Sequence, residues 1–157
     1  KKKKKRLQLK TILSLTPTAP TADLVHFCQQ NNIENVHVTL GRMKDDVKIP
    51  QEVIASILEI LIDSSKLPIY VHCLDGTKVT GVVIMCLRKL QHWNLTSIIS
   101  EYSRFSRGCR KESEYLEAFK APVRVPEDEM FIPPWLWFHQ HKLKTQQQQQ
   151  QQQSDQH

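Results

Sequence analysis

The sequence predicts an α/β layer fold, a central sheet flanked by helices. Three observations carry this reading. Short apolar runs, Thr11 to Leu15, Asn35 to Leu40 and Pro68 to Val71, have the length of strands. Longer stretches with apolar residues three and four positions apart lie between and after them. A glycine-bearing loop follows the third run, at the carboxyl end of a strand, where open α/β sheets bind their ligands. The chain has 157 residues, enough for one domain with a substantial core.

The first run, Thr11-Ile12-Leu13-Ser14-Leu15, reads as a buried strand stopped by Thr16-Pro17. A helix begins at Pro20-Thr21-Ala22-Asp23, with Thr21 or Asp23 as its N-cap, and shows one apolar face through Leu24, Val25, Phe27 and Cys28. Asn31-Asn32 ends it, and the second strand follows. Gly41 to Ile49 is a polar loop. Pro50 is expected at the first position of a helix whose stripe is Val53, Ile54, Ile57, Leu58, Leu61 and Ile62. Ser64-Ser65-Lys66 reads as a loop before the third strand. From Thr80 to Gln91 a helix is apolar on nearly every side, as a central, buried helix would be. Asn94 caps the next helix, and Glu112 to Phe119 forms a last short one. An α-rich half is therefore expected to cover the sheet. Beyond Ala121, Pro122, Pro126, Pro133 and Pro134 are expected to stop regular structure. The aromatic stretch Phe131 to Phe138 is expected to dock on the domain.

Charge and cysteine usage bound the function. Lys1 to Lys5 and Arg6 carry as many positive charges as the net +6 of the chain, so the remainder is balanced. The basic character sits in a solvated leader, and no aromatic-basic interleaving points to nucleic acid. Cys28, Cys73, Cys86 and Cys109 form no CxxC pair and no zinc spacing, which argues for no metal and a reducing, cytoplasmic setting. Cys28 and Cys86 read as core thiols. No apolar run reaches about 18 residues, so no membrane span is expected. The leader lacks an apolar region before Thr11 and is not a secretory signal. The expected divisions are a leader over 1–6, a domain over 7–121, a proline- and aromatic-rich extension over 122–145 and a Gln-rich tail over 146–157.

The chemistry concentrates at Val71-His72-Cys73-Leu74-Asp75-Gly76-Thr77-Lys78-Val79-Thr80-Gly81. A strand, a tight loop and a helix N-terminus aim backbone N–H groups and the helix dipole at one spot, which suits an anion. A cysteine at the bottom of that cradle is a candidate nucleophile toward phosphorus, because helix N-termini and neighbouring donors favour its thiolate. The Thr80 hydroxyl is expected to donate to the sulfur. His72 would support the loop through its ring. Gly76 permits a turn with φ > 0, and Gly81 would let the helix start pack close to the loop. The alternative is a buried structural cysteine before an ordinary turn.

His72, Cys73, Gly76, Thr80 and Gly81 fall on the HC-x-x-G-x-x-R-T-G pattern. Through it the chain resembles the cysteine-dependent phosphatases of the tyrosine and dual-specificity superfamily. Within them it is most similar to the plant and fungal atypical dual-specificity phosphatases, which include the yeast oxidant-induced cell-cycle arrest proteins and inositol-pyrophosphate phosphatases. The resemblance runs from Leu7 to Phe119. It includes Leu9 to Leu13, Ile49-Pro50, Leu87 to Thr96 and Glu101 to Phe105. It implies a dual-specificity-phosphatase-like fold, a phosphocysteine intermediate on Cys73 and a phosphate cradle from Gly76, Thr77, Lys78, Thr80 and Gly81, with His72 in support. No cofactor is implied. The ligand would be a phosphorylated protein or an inositol pyrophosphate, and the family's assemblies suggest hetero-oligomers with related phosphatase-like proteins. Asp45 and Asp46, on the loop between strand and helix, are the candidate general acids. Arg42, Lys44 and Lys48, with Arg107, Arg110 and Lys111, would flank a polyanion.

The chain departs from the pattern in two ways. Val79 holds the place of the arginine that would clamp the phosphoryl oxygens with two hydrogen bonds, and no aliphatic side chain imitates that. Lys78 is adjacent, but consecutive residues do not point the same way, and Asp75 adds a negative charge to a loop meant for an anion. The lysine run also stands where the family's opening segment is expected, so the sheet is expected to lack its N-terminal edge. The reading that follows is a catalytically impaired relative that binds phosphate ligands or acts as a phosphatase subunit. Its alternative is an active Cys73-dependent phosphatase.

Overall fold

The computed structural model describes residues 8–44, 46–107 and 110–138. The lysine leader, Asp45, Cys109 and the glutamine tract lie outside the described residues.

The architecture is mixed α/β. Among the described residues the sheet has three strands, β1 (Thr11–Thr16), β2 (Glu34–Thr39) and β3 (Ile69–Cys73), in the order β2-β1-β3 and parallel throughout. The central strand β1 is buried from Thr11 to Leu15, which explains its nearly continuous apolar run. The register divides the sheet into two faces. Leu13 lies beside Val36 and Val71, and Leu15 beside Val38 and Cys73, so Cys73 belongs to the row that faces the core. Ser14 lies beside His37 and His72 on the opposite face.

Helix α1 (Ala22–Gln30) starts where the Thr21 side chain accepts from the Leu24 amide, and it ends at Asn31. Asn32 takes a positive φ of 53°, which asparagine tolerates better than most residues. Helix α2 (Gln51–Leu61) buries Ile54, Ala55, Ile57, Leu58 and Leu61. Pro50 is its N-cap residue, one place earlier than expected. Ser64–Lys66 is a single 3₁₀ turn rather than a loop, because the Asp63 carboxylate accepts from the Ser65 amide at 2.9 Å.

Helix α3 (Lys78–Leu90) packs against α2, α4 and α5. Val79, Val82, Val83, Met85 and Cys86 lie in the core, while the other residues of the helix are half-buried. It begins at Lys78, not at Thr80. The reason is the Asp75 carboxylate, which accepts from the Thr77 and Lys78 amides and satisfies donors that a helix start otherwise leaves unpaired. Helix α4 (Leu95–Ser103) is capped by Asn94 through the Ser97 amide. Helix α5 (Arg110–Ala118) ends against Lys89, whose ammonium donates to the carbonyls of Leu116, Glu117 and Phe119 at 2.6, 3.2 and 2.9 Å.

Residues 119–126, with Pro122 and Pro126, carry no regular structure, as expected, but Pro133 and Pro134 do not stop it. Glu129–Phe131 forms a 3₁₀ turn and residues 134–138 are helical, with Pro134 early in the helix, where no N–H is needed. Leu136 is buried, and Trp135 lines a cavity of about 330 Å³ with Arg88, Gln91, His92 and Trp93. Among the described residues no helix is long and apolar enough to cross a membrane.

Candidate active site

Strand β3 delivers His72 and Cys73 to the carboxyl edge of the sheet, and α3 starts five residues after the cysteine. His72 Nε2 and Ser14 Oγ share a hydrogen bond of 2.7 Å between adjacent strands. Ser14 is 1% exposed, so this bond satisfies a polar group inside the sheet and fixes the ring that precedes the loop. A lone serine within an apolar strand was the available signal for it. Tyr70 stacks on the same ring, with centroids 5.8 Å apart.

Gly76 has φ 68°, so the loop makes the left-handed turn that its glycine permits. Behind it, Asp75 Oδ1 accepts from the Thr77 amide at 3.0 Å, from the Lys78 amide at 3.3 Å and from the Cys73 thiol at 3.5 Å. The Thr77 amide is the main reason its carboxyl is held below the usual carboxylate range; burial works against this, and the Cys73 thiol and Lys78 amide reinforce it. Cys73 is 8% exposed.

Other predicted site residues are disposed differently from the expectation. Thr80 Oγ1 is buried without a hydrogen-bond partner, so the expected bond to the sulfur is not made; the thiol is turned to Asp75 instead. The Lys78 ammonium donates to the Lys44 carbonyl, so only its backbone amide lines the cradle. The space beside Gly81 is taken by the ring of Tyr102, whose Cδ2 would lie 2.8 Å from an added Cβ. Tyr102 in turn donates to the buried Glu112 carboxylate at 3.2 Å. Neither Tyr102 nor Glu112 stood out as a partner in the sequence, because helical periodicity marks a buried face and not what it touches. Val79 is 4% exposed and begins the core stripe of α3.

Of the two candidate acids, Asp45 lies outside the described residues. Asp46 is exposed and pairs with Lys111 at 3.4 Å. This pair and the Lys78–Lys44 contact bring the β2–α2 loop to the starts of α3 and α5. Arg42, Lys44 and Lys48 line a depression of about 410 Å³ formed by the β2–α2 loop itself. Arg110 is paired with Glu114 at 3.1 Å. Cys86 is fully buried, which pushes its thiol up to about 12 and leaves it inert near neutral pH. Among the described residues no cluster of three or more His, Cys, Asp or Glu side chains is placed to hold a metal ion.

A family model described as "Tyrosine phosphatase family" matches residues 3–138. "Probable tyrosine-protein phosphatase DG1060" of Dictyostelium discoideum is 33% identical over 135 residues, covering 84% of this chain and 80% of that protein. "Inositol diphosphatase DSP4" of Arabidopsis thaliana is 36% identical over 116 residues, covering 72% of this chain and 59% of that protein. The crystal structure of the core catalytic domain of the PP-IP phosphatase SIW14 from Saccharomyces cerevisiae, in complex with citrate, is similar at a TM-score of 0.65 and 34% identity. That match covers 73% of this chain and 70% of the other. The chain spans 66% of the length of another Saccharomyces cerevisiae relative, OCA6.

Proposed function

This chain belongs to the tyrosine phosphatase family, and from that membership we propose that it is a catalytically impaired phosphatase-fold protein. On this reading it keeps the fold to bind a phosphorylated ligand or to serve as a subunit of a phosphatase assembly. Val79 is the observation that carries it. At the place of the clamping arginine stands a side chain 4% exposed in the core. Its burial stabilises the fold by about 1.5–3 kcal/mol. It offers the transition state no hydrogen bond, and loss of an arginine that stabilises phosphoryl transfer costs about 10³–10⁵ in rate.

A second reading keeps the activity. The His72–Ser14 bond, the Gly76 turn and the thirteen-residue α3 retain the frame of a phosphate-attacking loop. There Cys73 would attack phosphorus as the thiolate, an acid would protonate the departing oxygen, and water would then release phosphate from the cysteine. The names of the Arabidopsis and yeast relatives make inositol pyrophosphate the substrate to try beside a simple aryl phosphate.

Turnover of p-nitrophenyl phosphate and of an inositol pyrophosphate should be measured for the wild type, Cys73→Ser and Val79→Arg. Helical side chains lean toward the N-terminus, so an arginine at 79 can reach the loop while its stem stays in the core. The impaired reading expects wild-type turnover no higher than that of Cys73→Ser, and a gain only in a folded Val79→Arg protein. Cys73-dependent wild-type turnover comparable to that of the SIW14 catalytic domain would overturn it.

A further inference from the structure

We propose that Asp75 is the resident anion of the Cys73 loop: its carboxylate holds the donors that a phosphate or another tetrahedral oxyanion would take, and so excludes such ligands from the cradle. The inference rests on the impaired reading above and decides between its two arms: an oxyanion is kept out of the cradle, which leaves the role of a subunit in a phosphatase assembly. It stands on geometry. The turn at Gly76 and the start of α3 direct the Thr77 and Lys78 amides to one point, and both end on Asp75 Oδ1, which also accepts a hydrogen bond from the Cys73 thiol. One carboxylate oxygen thus engages two backbone donors and the nucleophile. An arriving oxyanion would have to break these bonds and then lie beside a fixed like charge, with no arginine at 79 to offset it. The neighbouring Lys78 ammonium donates to the Lys44 carbonyl and makes no ion pair with Asp75.

The occupant is removable. Asp75 is an exposed residue of the loop, so its truncation opens no cavity in the core. The probe is sodium tungstate, a tetrahedral oxyanion that needs no turnover, titrated calorimetrically into the wild type and Asp75→Ala, with inorganic phosphate as a second probe. Circular dichroism checks that each variant is folded. Removing one like charge about 4 Å away should tighten oxyanion binding by about tenfold or more. Cys73→Ser in the Asp75→Ala background should retain most of that gain, since the backbone amides supply it. Should Asp75→Ala fail to fold, Asp75→Asn, which keeps an oxygen for the amides and loses the charge, should still bind tungstate more tightly than the wild type. Equal tungstate affinity in the wild type and the folded variants would overturn the proposal. So would wild-type binding as tight as that of the SIW14 catalytic domain. Either result leaves the turnover test intact: a wild type that binds tungstate yet shows no Cys73-dependent turnover sinks the resident anion and not the impaired reading.

Discussion

Gly81→Ala offers a test of how the helices hold the candidate site. Elsewhere in a helix, replacing glycine by alanine stabilises by about 1 kcal/mol, because alanine loses less backbone freedom. Here the new methyl would clash with Tyr102 Cε2 and lie 2.8 Å from its Cδ2, well inside van der Waals contact. The ring is 4% exposed and cannot swing into solvent without leaving the core. Forcing it aside costs about 1–3 kcal/mol in overpacking. Losing its 3.2 Å bond to Glu112 leaves a buried carboxylate without that donor, for about 1–3 kcal/mol more. Against the gain from alanine, the net expectation is a destabilisation of about 1–5 kcal/mol, which at this size lowers Tm by about 2–4 °C per kcal/mol. Urea unfolding monitored by circular dichroism reads it. The same substitution in a Tyr102→Ala background has room for the methyl and should stabilise by about 0.5–1 kcal/mol, reversing the sign. A Gly81→Ala protein as stable as the wild type, or a penalty that persists without the ring, would refute the reasoning.

Lys89→Met keeps the aliphatic stem but removes the donor to the Leu116, Glu117 and Phe119 carbonyls; it should cost about 1.5–3 kcal/mol in urea unfolding and expose the α5 amides to faster hydrogen exchange. Asp75 is held below the usual carboxylate range in the folded chain, so its contribution to stability is complete above about pH 4 and is lost as the pH falls through the lower folded-state value. The stability difference between the wild type and Asp75→Asn should therefore be largest near neutral pH and shrink in acid; a difference independent of pH would contradict the hydrogen bonds assigned to the carboxylate.

Much of the fold was legible because strands and helices are specified by neighbours in sequence. The run at Thr11 to Leu15 needs no distant information to read as a buried strand, and the spacing of Val79, Val82, Val83 and Cys86 marks one helix face. The errors fell at boundaries. The ends at Pro50 and Lys78 and the short helices at 129–131 and 134–138 were not legible, because helix ends depend on which group satisfies their free donors and acceptors. At the start of α3 that group is a carboxylate three residues upstream, not a hydroxyl or a residue of the helix.

By itself the sequence determined the order of elements, the position of Cys73 at a strand end before a helix, the glycine turn at 76 and the presence of valine where an arginine belongs. These follow from residue type and short-range spacing. Only the tertiary structure decided where the side chains go: Asp75 into the loop, the Lys78 ammonium away to Lys44, Tyr102 against Gly81 and Ser14 under His72. A polar side chain pairs with whatever donor or acceptor packing brings within about 3 Å. Ser14 and His72 are 58 residues apart, and no local pattern records that they meet.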